Sequence, residues 1–234
     1  MTILENLTES KTQLTNLNPL FFADLLPASE QWRLFAHFRT TVAYLDIETT
    51  GLGGPGDHIT TVVLYDGHSV RPYIHGQNLH EFPAALQKHR LLVTFNGKCF
   101  DVPFIERYFG IKVSAAHIDL RYVLKSLGYS GGLKVVETKL GLDRKDLHDV
   151  DGFFAVLLWS EYRRKGDLRA LETLLAYNAA DVLNLEPLMV TAFNLKLKTT
   201  PFHDLHHLPH PLTPAVPFIP HRDVIERIRA RGWY

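Results

Sequence analysis

Residues 41–52 read TVAYLDIETTGL. The first seven are mostly β-branched, aromatic or otherwise apolar, which predicts a strand. Asp46 and Glu48 alternate along this stretch, and since strand side chains point to opposite faces in turn, both carboxylates lie on one face. Two acids on an apolar strand are costly unless their charge is compensated. An Asp-x-Glu at the end of an apolar strand is also common by chance, so taken alone the stretch predicts the strand and leaves the function of its acids open.

Two further stretches each contribute one acid. Residues 96–101 read NGKCFD and place Asp101 after a predicted strand, at the start of a helix. Residues 177–181 read YNAAD, and a helix would put Tyr177 and Asp181 on one face, one turn apart. Taken alone, each has a structural explanation: Asp101 as an acid at a helix N-terminus, and Tyr177 as a packed side chain beside an exposed acid.

The acids Asp46, Glu48, Asp101 and Asp181 together indicate a metal site. Carboxylates gathered from distant parts of a chain repel one another, and proteins usually tolerate this when a cation lies between them. Hard oxygen ligands suit Mg²⁺ or Mn²⁺. A pair of such ions is a standard device for cleaving phosphodiesters.

The order of the predicted elements indicates the fold class. Strands are predicted at residues 41–47, 58–65, 70–74, 91–95 and 116–120, with Asp66 and Gly67 as a hairpin turn. Helices are predicted from Asn78 to Lys88, from Pro103 to Phe109, and over most of the chain to Leu197. This order predicts an α/β protein with a mixed five-stranded sheet flanked by helices, which fits a ribonuclease H-like fold.

Three segments are expected: 1–40, 41–197 and 198–234. The first is predicted as a helical extension that packs on the main domain, with Ser29 capping a helix; a partner-binding arm is the alternative. The last is rich in proline and histidine, with a short helix at residues 224–229. Its tract of His203, His206, His207 and His210 is expected to be a solvated loop rather than a metal site.

Composition limits the class of protein. The chain is 46% hydrophobic and 21% charged, as is common for soluble globular proteins, and no apolar run is long enough to span a membrane. It has a single cysteine, Cys99, and no signal-peptide pattern, so a cytoplasmic protein is expected. The net charge is zero, but if four acids bind metal the remaining surface has four more bases than acids. A local basic track for nucleic acid is therefore compatible with the composition.

The acidic motifs resemble those of the DEDD superfamily of 3′–5′ exonucleases. Its first motif is Asp-x-Glu on the first strand, its second is Asn-x-x-x-Phe-Asp, and its third ends in an aspartate on a late helix. Tyr177, four residues before Asp181, matches the DEDDy branch, whereas the DEDDh branch would have histidine in place of Ala176. Residues 117–120, 133–137, 140–144 and 177–182 also resemble a bacterial and archaeal family of predicted exonucleases, over about residues 41–190.

The resemblance implies a two-metal-ion hydrolase. It implies that Asp46, Glu48 and Asp181 hold one Mg²⁺ or Mn²⁺ ion, that Asp46 bridges to a second, and that Asp101 supports the second. Tyr177 would orient the attacking water. Asn96 is expected either to contact substrate or to hydrogen-bond to a metal ligand, and Lys134 and Arg144 are expected to contact substrate phosphate.

The expected partners are single-stranded DNA or RNA 3′ ends, with no membrane and no protein partner indicated. Two alternatives stay open: a nucleic-acid-binding subunit with a vestigial site, and a structure-specific endonuclease. Metal binding without hydrolysis would indicate the first. Discrete internal fragments rather than single-nucleotide ladders would indicate the second.

Overall fold

A computed structural model describes residues 3–142 and 151–231. Within these residues, five strands form one sheet: β1 Val42–Thr49, β2 Ile59–Tyr65, β3 Val70–Ile74, β4 Leu91–Thr94 and β5 Ala116–Asp119. Their order is β3-β2-β1-β4-β5. The first three strands pair antiparallel, whereas β1, β4 and β5 are parallel. The predicted mixed five-stranded sheet is confirmed.

Helices cover both faces of the sheet. Those in the described residues are α1 Ile3–Thr15, α2 Pro19–Leu25, α3 Leu34–Phe38, α4 Phe82–Leu86, α5 Asp101–Phe109, α6 Leu120–Lys125, α7 Leu133–Lys139, α8 Gly152–Lys165, α9 Leu168–Leu183, α10 Leu185–Leu197, α11 His203–His206 and α12 Arg222–Arg229. Short 3₁₀ helices span Ala28–Arg33, Arg39–Thr41 and Leu79–Glu81. None of the helices described is long and apolar enough to cross a lipid bilayer.

The alternation along β1 divides the core into two layers. Ala43, Leu45 and Ile47 pack with Phe82 of α4 and Ile105 of α5. The opposite face of β1 carries Tyr44 and the two acids, and α9 and α8 pack against β1 while α10 packs against β4. Because β1 has this alternation, one face is fully apolar and the acids are confined to the other.

The N-terminal segment packs beside β5 and α10. Trp32 and Phe35 are buried, and their rings lie 5.5 and 6.3 Å from that of Phe193, measured between centroids. The predicted cap at Ser29 is wrong, since Ser29 lies inside the 3₁₀ helix that follows Pro27 and makes no capping bond. Pro27 is extended and occupies the cap position, so the helix begins at Ala28, two residues earlier than a cap at Ser29 would give.

The other local corrections also come from tertiary contacts. Asn78 caps no helix, because its Oδ1 accepts a hydrogen bond from the Ile74 N–H at 2.8 Å and holds the end of β3. The helix after it begins at Phe82 and ends at Leu86, short of Lys88.

In the C-terminal half, α9 begins after Asp167, whose side chain caps it as predicted. The predicted helix through Leu185 is interrupted at Asn184, which donates to Glu137 Oε1 at 2.9 Å. In the histidine tract, His203 and His206 lie in the one-turn helix α11 and not in a loop, although both are exposed as expected.

Candidate active site

Three carboxylates converge where the end of β1 meets α9. Asp46 and Glu48 project from the same face of β1, and Asp181 projects from the last turns of α9. Each offers one oxygen, and these oxygens all lie within 4.8 Å of one another. Glu48 is 8% exposed and Asp181 6%, whereas Asp46 is half-buried. Strand alternation places Asp46 and Glu48 on one face, and the packing of α9 against β1 brings Asp181 to them, so three of the predicted metal ligands meet.

Asp101 lies beside this cluster as the first residue of α5. Its side chain is 3% exposed, and its Oδ1 accepts a hydrogen bond from the Ile47 N–H at 3.1 Å. The backbone between Asp46 and Glu48 is thus hydrogen-bonded directly to the fourth acid. Among the described residues, Asp101 is not within the group whose ligand atoms are all mutually within 4.8 Å.

The electrostatics of the cluster favour a bound cation. Burial raises the pKa of Glu48 well above its ordinary value, and the nearby charges of Asp181 and Asp101 raise it further. Burial likewise raises the pKa of Asp101 to about 7. The charge of Lys134 lowers the pKa of Glu48 in part. Buried like charges of this kind are stabilised by a hard divalent ion, so the residues present fit the expected Mg²⁺ or Mn²⁺.

Tyr177 and Lys134 form one wall of the site. Tyr177 is 5% exposed and lies one helical turn before Asp181 on α9. The Nζ atom of Lys134 lies 5.3 Å from the centre of the Tyr177 ring, which is within range of a cation–π contact. Lys134 is near enough to the carboxylates for its charge to act on Glu48, and its role as a substrate contact stays a prediction. Arg144 lies outside the described residues.

Asn96 lies two residues after β4 and has a left-handed conformation, with φ 68°. Its N–H donates to Asp119 Oδ1 at 2.8 Å, and its Oδ1 accepts from Arg121 Nη1 at 2.7 Å. Gly97 follows, and a Cβ there would lie 2.3 Å from Thr94 Oγ1, so this position requires glycine. The loop before Asp101 is consequently fixed by its own hydrogen bonds.

Sequence reasoning missed Asn178. Its side chain is fully buried in α9, and its Nδ2 donates to Asp46 Oδ2 at 2.8 Å and to the Asp46 carbonyl at 3.3 Å. The Thr61 hydroxyl donates to Asn178 Oδ1 at 3.1 Å, which fixes the orientation of the amide. Asn178 therefore holds Asp46 in place. The sequence offered one signal for this role, which is a polar residue at position 178 among the apolar residues of a predicted helix.

Asp151 is a second addition to the site. It caps α8 by accepting the Phe154 N–H at 2.9 Å, and its charge acts on Glu48 and raises the pKa of that carboxyl. Asp151 is exposed, so solvent weakens this influence.

Comparison with known proteins agrees with the fold. A family profile of the RNase_H superfamily matches residues 43–193. The chain belongs to the RNase H superfamily. The match spans the five-stranded sheet and the helices through most of α10, including all four acids. No curated protein sequence matches the chain.

Several solved structures are similar to this RNase H superfamily member. Brucella melitensis NrnC with bound Mg²⁺ is 21% identical, with 68% of this chain and 75% of that chain covered and a TM-score of 0.45. NrnC bound to pGG is 18% identical, with 72% and 78% covered and a TM-score of 0.47. The Aedes aegypti Nibbler EXO domain is 13% identical, with 85% and 91% covered and a TM-score of 0.44.

Proposed function

We propose that this protein is a metal-dependent 3′–5′ exonuclease that hydrolyses phosphodiester bonds of single-stranded DNA or RNA. The observation that carries the proposal is the convergence of Asp46, Glu48 and Asp181, with their ligand atoms within 4.8 Å of one another, beside the buried Asp101. An RNase H-like fold that gathers acids in this way is suited to phosphodiester hydrolysis.

The four acids divide into two roles in this proposal. Asp46, Glu48 and Asp181 would hold one divalent ion, and Asp46, which Asn178 orients, would with Asp101 hold a second. When bound, two such ions supply the positive charge that activates water and stabilises the departing 3′ oxygen. The protein's contribution is to fix ligands before substrate arrives, since Asp46 and Asp101 already accept hydrogen bonds from Asn178 and from the Ile47 N–H.

Tyr177 is proposed to orient the attacking water through its hydroxyl group. It lies on the same face of α9 as Asp181, and packing holds its ring, with Lys134 against it. With this role for Tyr177, we propose that the protein is of the DEDDy type. Lys134 is proposed to contact substrate phosphate, because its ammonium group is the cation beside the acids in the described structure.

Direction and substrate are tested by a parallel digest with Mn²⁺ of single-stranded DNA and RNA, each labelled at the 5′ or the 3′ end. The proposal predicts a ladder of 5′-labelled products that shortens by single nucleotides, and immediate release of the 3′ label as a mononucleotide. Asp181→Ala purified in the same way should be inactive.

Three results would contradict the proposal. Internal fragments alone would indicate an endonuclease. Binding without cleavage by the wild type would indicate a vestigial site. Equal activity of Asp181→Ala would show that the cleavage comes from elsewhere.

A further inference from the structure

We propose that a basic recess beside α6 binds a backbone phosphate of the nucleic-acid strand whose end lies at the carboxylates. The recess has a volume of about 410 Å³ and is lined by Asn96, Cys99, Arg121, Tyr122, Lys125, Ser130 and Gly131. This assignment rests on the proposed nuclease function, since it names how the same site holds its substrate.

The charge of the lining is suited to an anion. Arg121 and Lys125 lie four residues apart on α6, so they share one face of that helix. None of the lining side chains is acidic in the part of the chain that the structure describes. A third cation, Lys139, donates to the Ser130 carbonyl at 3.1 Å and adds positive charge at the rim. An arginine and a lysine around an open polar recess are the usual means of holding a phosphate.

A buried carboxylate, that of Asp119, lies beside the recess but is not part of its lining. Asp119 is 3% exposed, and its oxygens accept the N–H groups of Asn96, Lys98 and Arg121 at 2.8, 3.0 and 3.1 Å. These bonds stabilise its charge within the protein. The same bonds fix the backbone on either side of the recess, so its shape is set before any ligand binds.

Arg121 is held in place without losing its capacity to bind. One of its terminal nitrogens donates to Asn96 Oδ1 at 2.7 Å, and the side chain is exposed. A guanidinium group has five N–H donors, so a single bond to Asn96 leaves others for a phosphate. This contact also connects the recess to Asn96, which was predicted as a substrate contact.

The recess also offers an aromatic surface. Tyr122 is 49% exposed, and its hydroxyl group lies 3.0 Å from the Cys99 sulfur, which holds the ring in position. Proteins that bind single strands combine cations for the backbone with exposed aromatic rings on which bases stack. Arg121 and Lys125 are thus suited to bind the phosphate of one nucleotide of a single strand, and the Tyr122 ring to stack on its base.

The topology places the recess along the same edge of the sheet as the carboxylates. β1, β4 and β5 are parallel, so their C-terminal ends meet at one edge. The acids lie at the end of β1, and the recess lies at the ends of β4 and β5. With about 4.8 Å between neighbouring strands, β5 is about 10 Å from β1. The recess therefore lies beside the path of a nucleic-acid strand whose end is at the carboxylates, and at a distance from the bond that is cleaved.

The double variant Arg121→Gln/Lys125→Gln tests whether the recess binds the nucleic-acid strand. Fluorescence anisotropy with a labelled single-stranded oligonucleotide, in Ca²⁺ to prevent turnover, should show binding about tenfold weaker than wild type. The slope of log affinity against log salt should become shallower by about 0.7 for each phosphate that the variant no longer neutralises. The matched control is Arg71→Gln/Lys88→Gln, which removes the same charge from a recess beside β3, at the opposite edge of the sheet. Melting curves of both variants verify folding.

Two results would overturn the assignment. One is equal oligonucleotide affinity and salt slope in wild type and Arg121→Gln/Lys125→Gln. The other is an equal decrease of affinity in the Arg71→Gln/Lys88→Gln control, which would show that total charge and not the recess matters.

Hydrolysis assays distinguish a failure of the recess assignment from a failure of the proposed nuclease function. The variant should lose at least about tenfold more activity on the oligonucleotide than on a p-nitrophenyl ester of a mononucleotide, which carries only the reacting phosphate. Equal decreases on both substrates would contradict the recess while the nuclease function stands. If the wild type binds the strand but cleaves neither substrate, the nuclease function fails, and the anisotropy comparison still decides the recess.

Discussion

Replacing Asp101 with asparagine should change how the stability of the metal-free protein depends on pH. Asp101 is 3% exposed, and burial raises its pKa to about 7. The Ile47 N–H that donates to its Oδ1 opposes the shift, and an asparagine carbonyl can accept the same bond. Asp101→Asn therefore removes the ionisation and keeps the packing.

The size of the effect follows from the difference between the folded and unfolded pKa. An unfolded aspartate has a pKa of about 3.9. Since the folded pKa is higher, the folded protein retains a proton that the unfolded chain releases, and stability falls as pH rises from about 4 to about 7. The slope is about 1.4 kcal/mol per pH unit. The slope decreases near pH 7, where the folded carboxyl itself ionises, so from about pH 5 to about pH 7 the wild type should lose about 2 kcal/mol relative to Asp101→Asn.

Urea unfolding in EDTA, followed by tryptophan fluorescence, measures this difference. Trp32 and Trp159 are buried and report on unfolding. Burial lowers the pKa of His117 to about 3, so this histidine adds stability as pH rises toward 6.5. His117 is present in both proteins, and its contribution cancels in the difference. A stability difference that stays constant between about pH 5 and about pH 7 would refute the reasoning.

Asp66→Asn is the matched control. Burial raises the pKa of Asp66, but hydrogen bonds from Ser69 and His68 outweigh it and leave that pKa below its ordinary value. Its contribution is therefore complete above the unfolded pKa and is lost only on acidification below about pH 4. The difference between wild type and Asp66→Asn should be flat where that of Asp101→Asn is steep. Adding Mn²⁺ should restore the stability of the wild type at neutral pH, because the bound ion stabilises the ionised carboxylates.

Two further predictions concern α9. Tyr177→Phe keeps the ring and loses one hydrogen bond made in the transition state, so single-turnover cleavage should slow by about 10²-fold with substrate affinity little changed; equal rates would remove Tyr177 from the mechanism. Asn178→Ala removes the amide that holds Asp46, so the Mn²⁺ concentration for half-maximal activity should rise about 10–100-fold, and Thr61→Val should have a smaller effect in the same direction. An unchanged Mn²⁺ dependence in Asn178→Ala would show that the amide only packs.

The parts of the site that could be predicted are those set by local periodicity. The spacing of Asp46 and Glu48 is that of one strand face, and the spacing of Tyr177 and Asp181 is that of one helix turn. Both follow from backbone geometry alone. The strands themselves were predictable because their β-branched runs end at clear turns, such as the one after Tyr65.

The parts that could not be predicted depend on how distant segments dock. Asn178 contacts Asp46 and Thr61 because α9 packs across β1 and β2, and nothing in residues 177–181 reports that orientation. Ser29 and Asn78 are residue types that commonly cap helices, but contacts with the neighbouring backbone determine their conformation here. Local propensity is a weak preference that such tertiary contacts override.

Counting bound Mn²⁺ by electron paramagnetic resonance, in wild type and in Asp46→Ala, tests the central claim most directly. Asp46 lies in the group of acids whose ligand atoms are within 4.8 Å of one another, and it is proposed to face both ions. The wild type should therefore remove two ions per chain from solution, and Asp46→Ala at most one, with much weaker affinity. Equal Mn²⁺ binding by the two proteins, or none by the wild type, would contradict the metal centre.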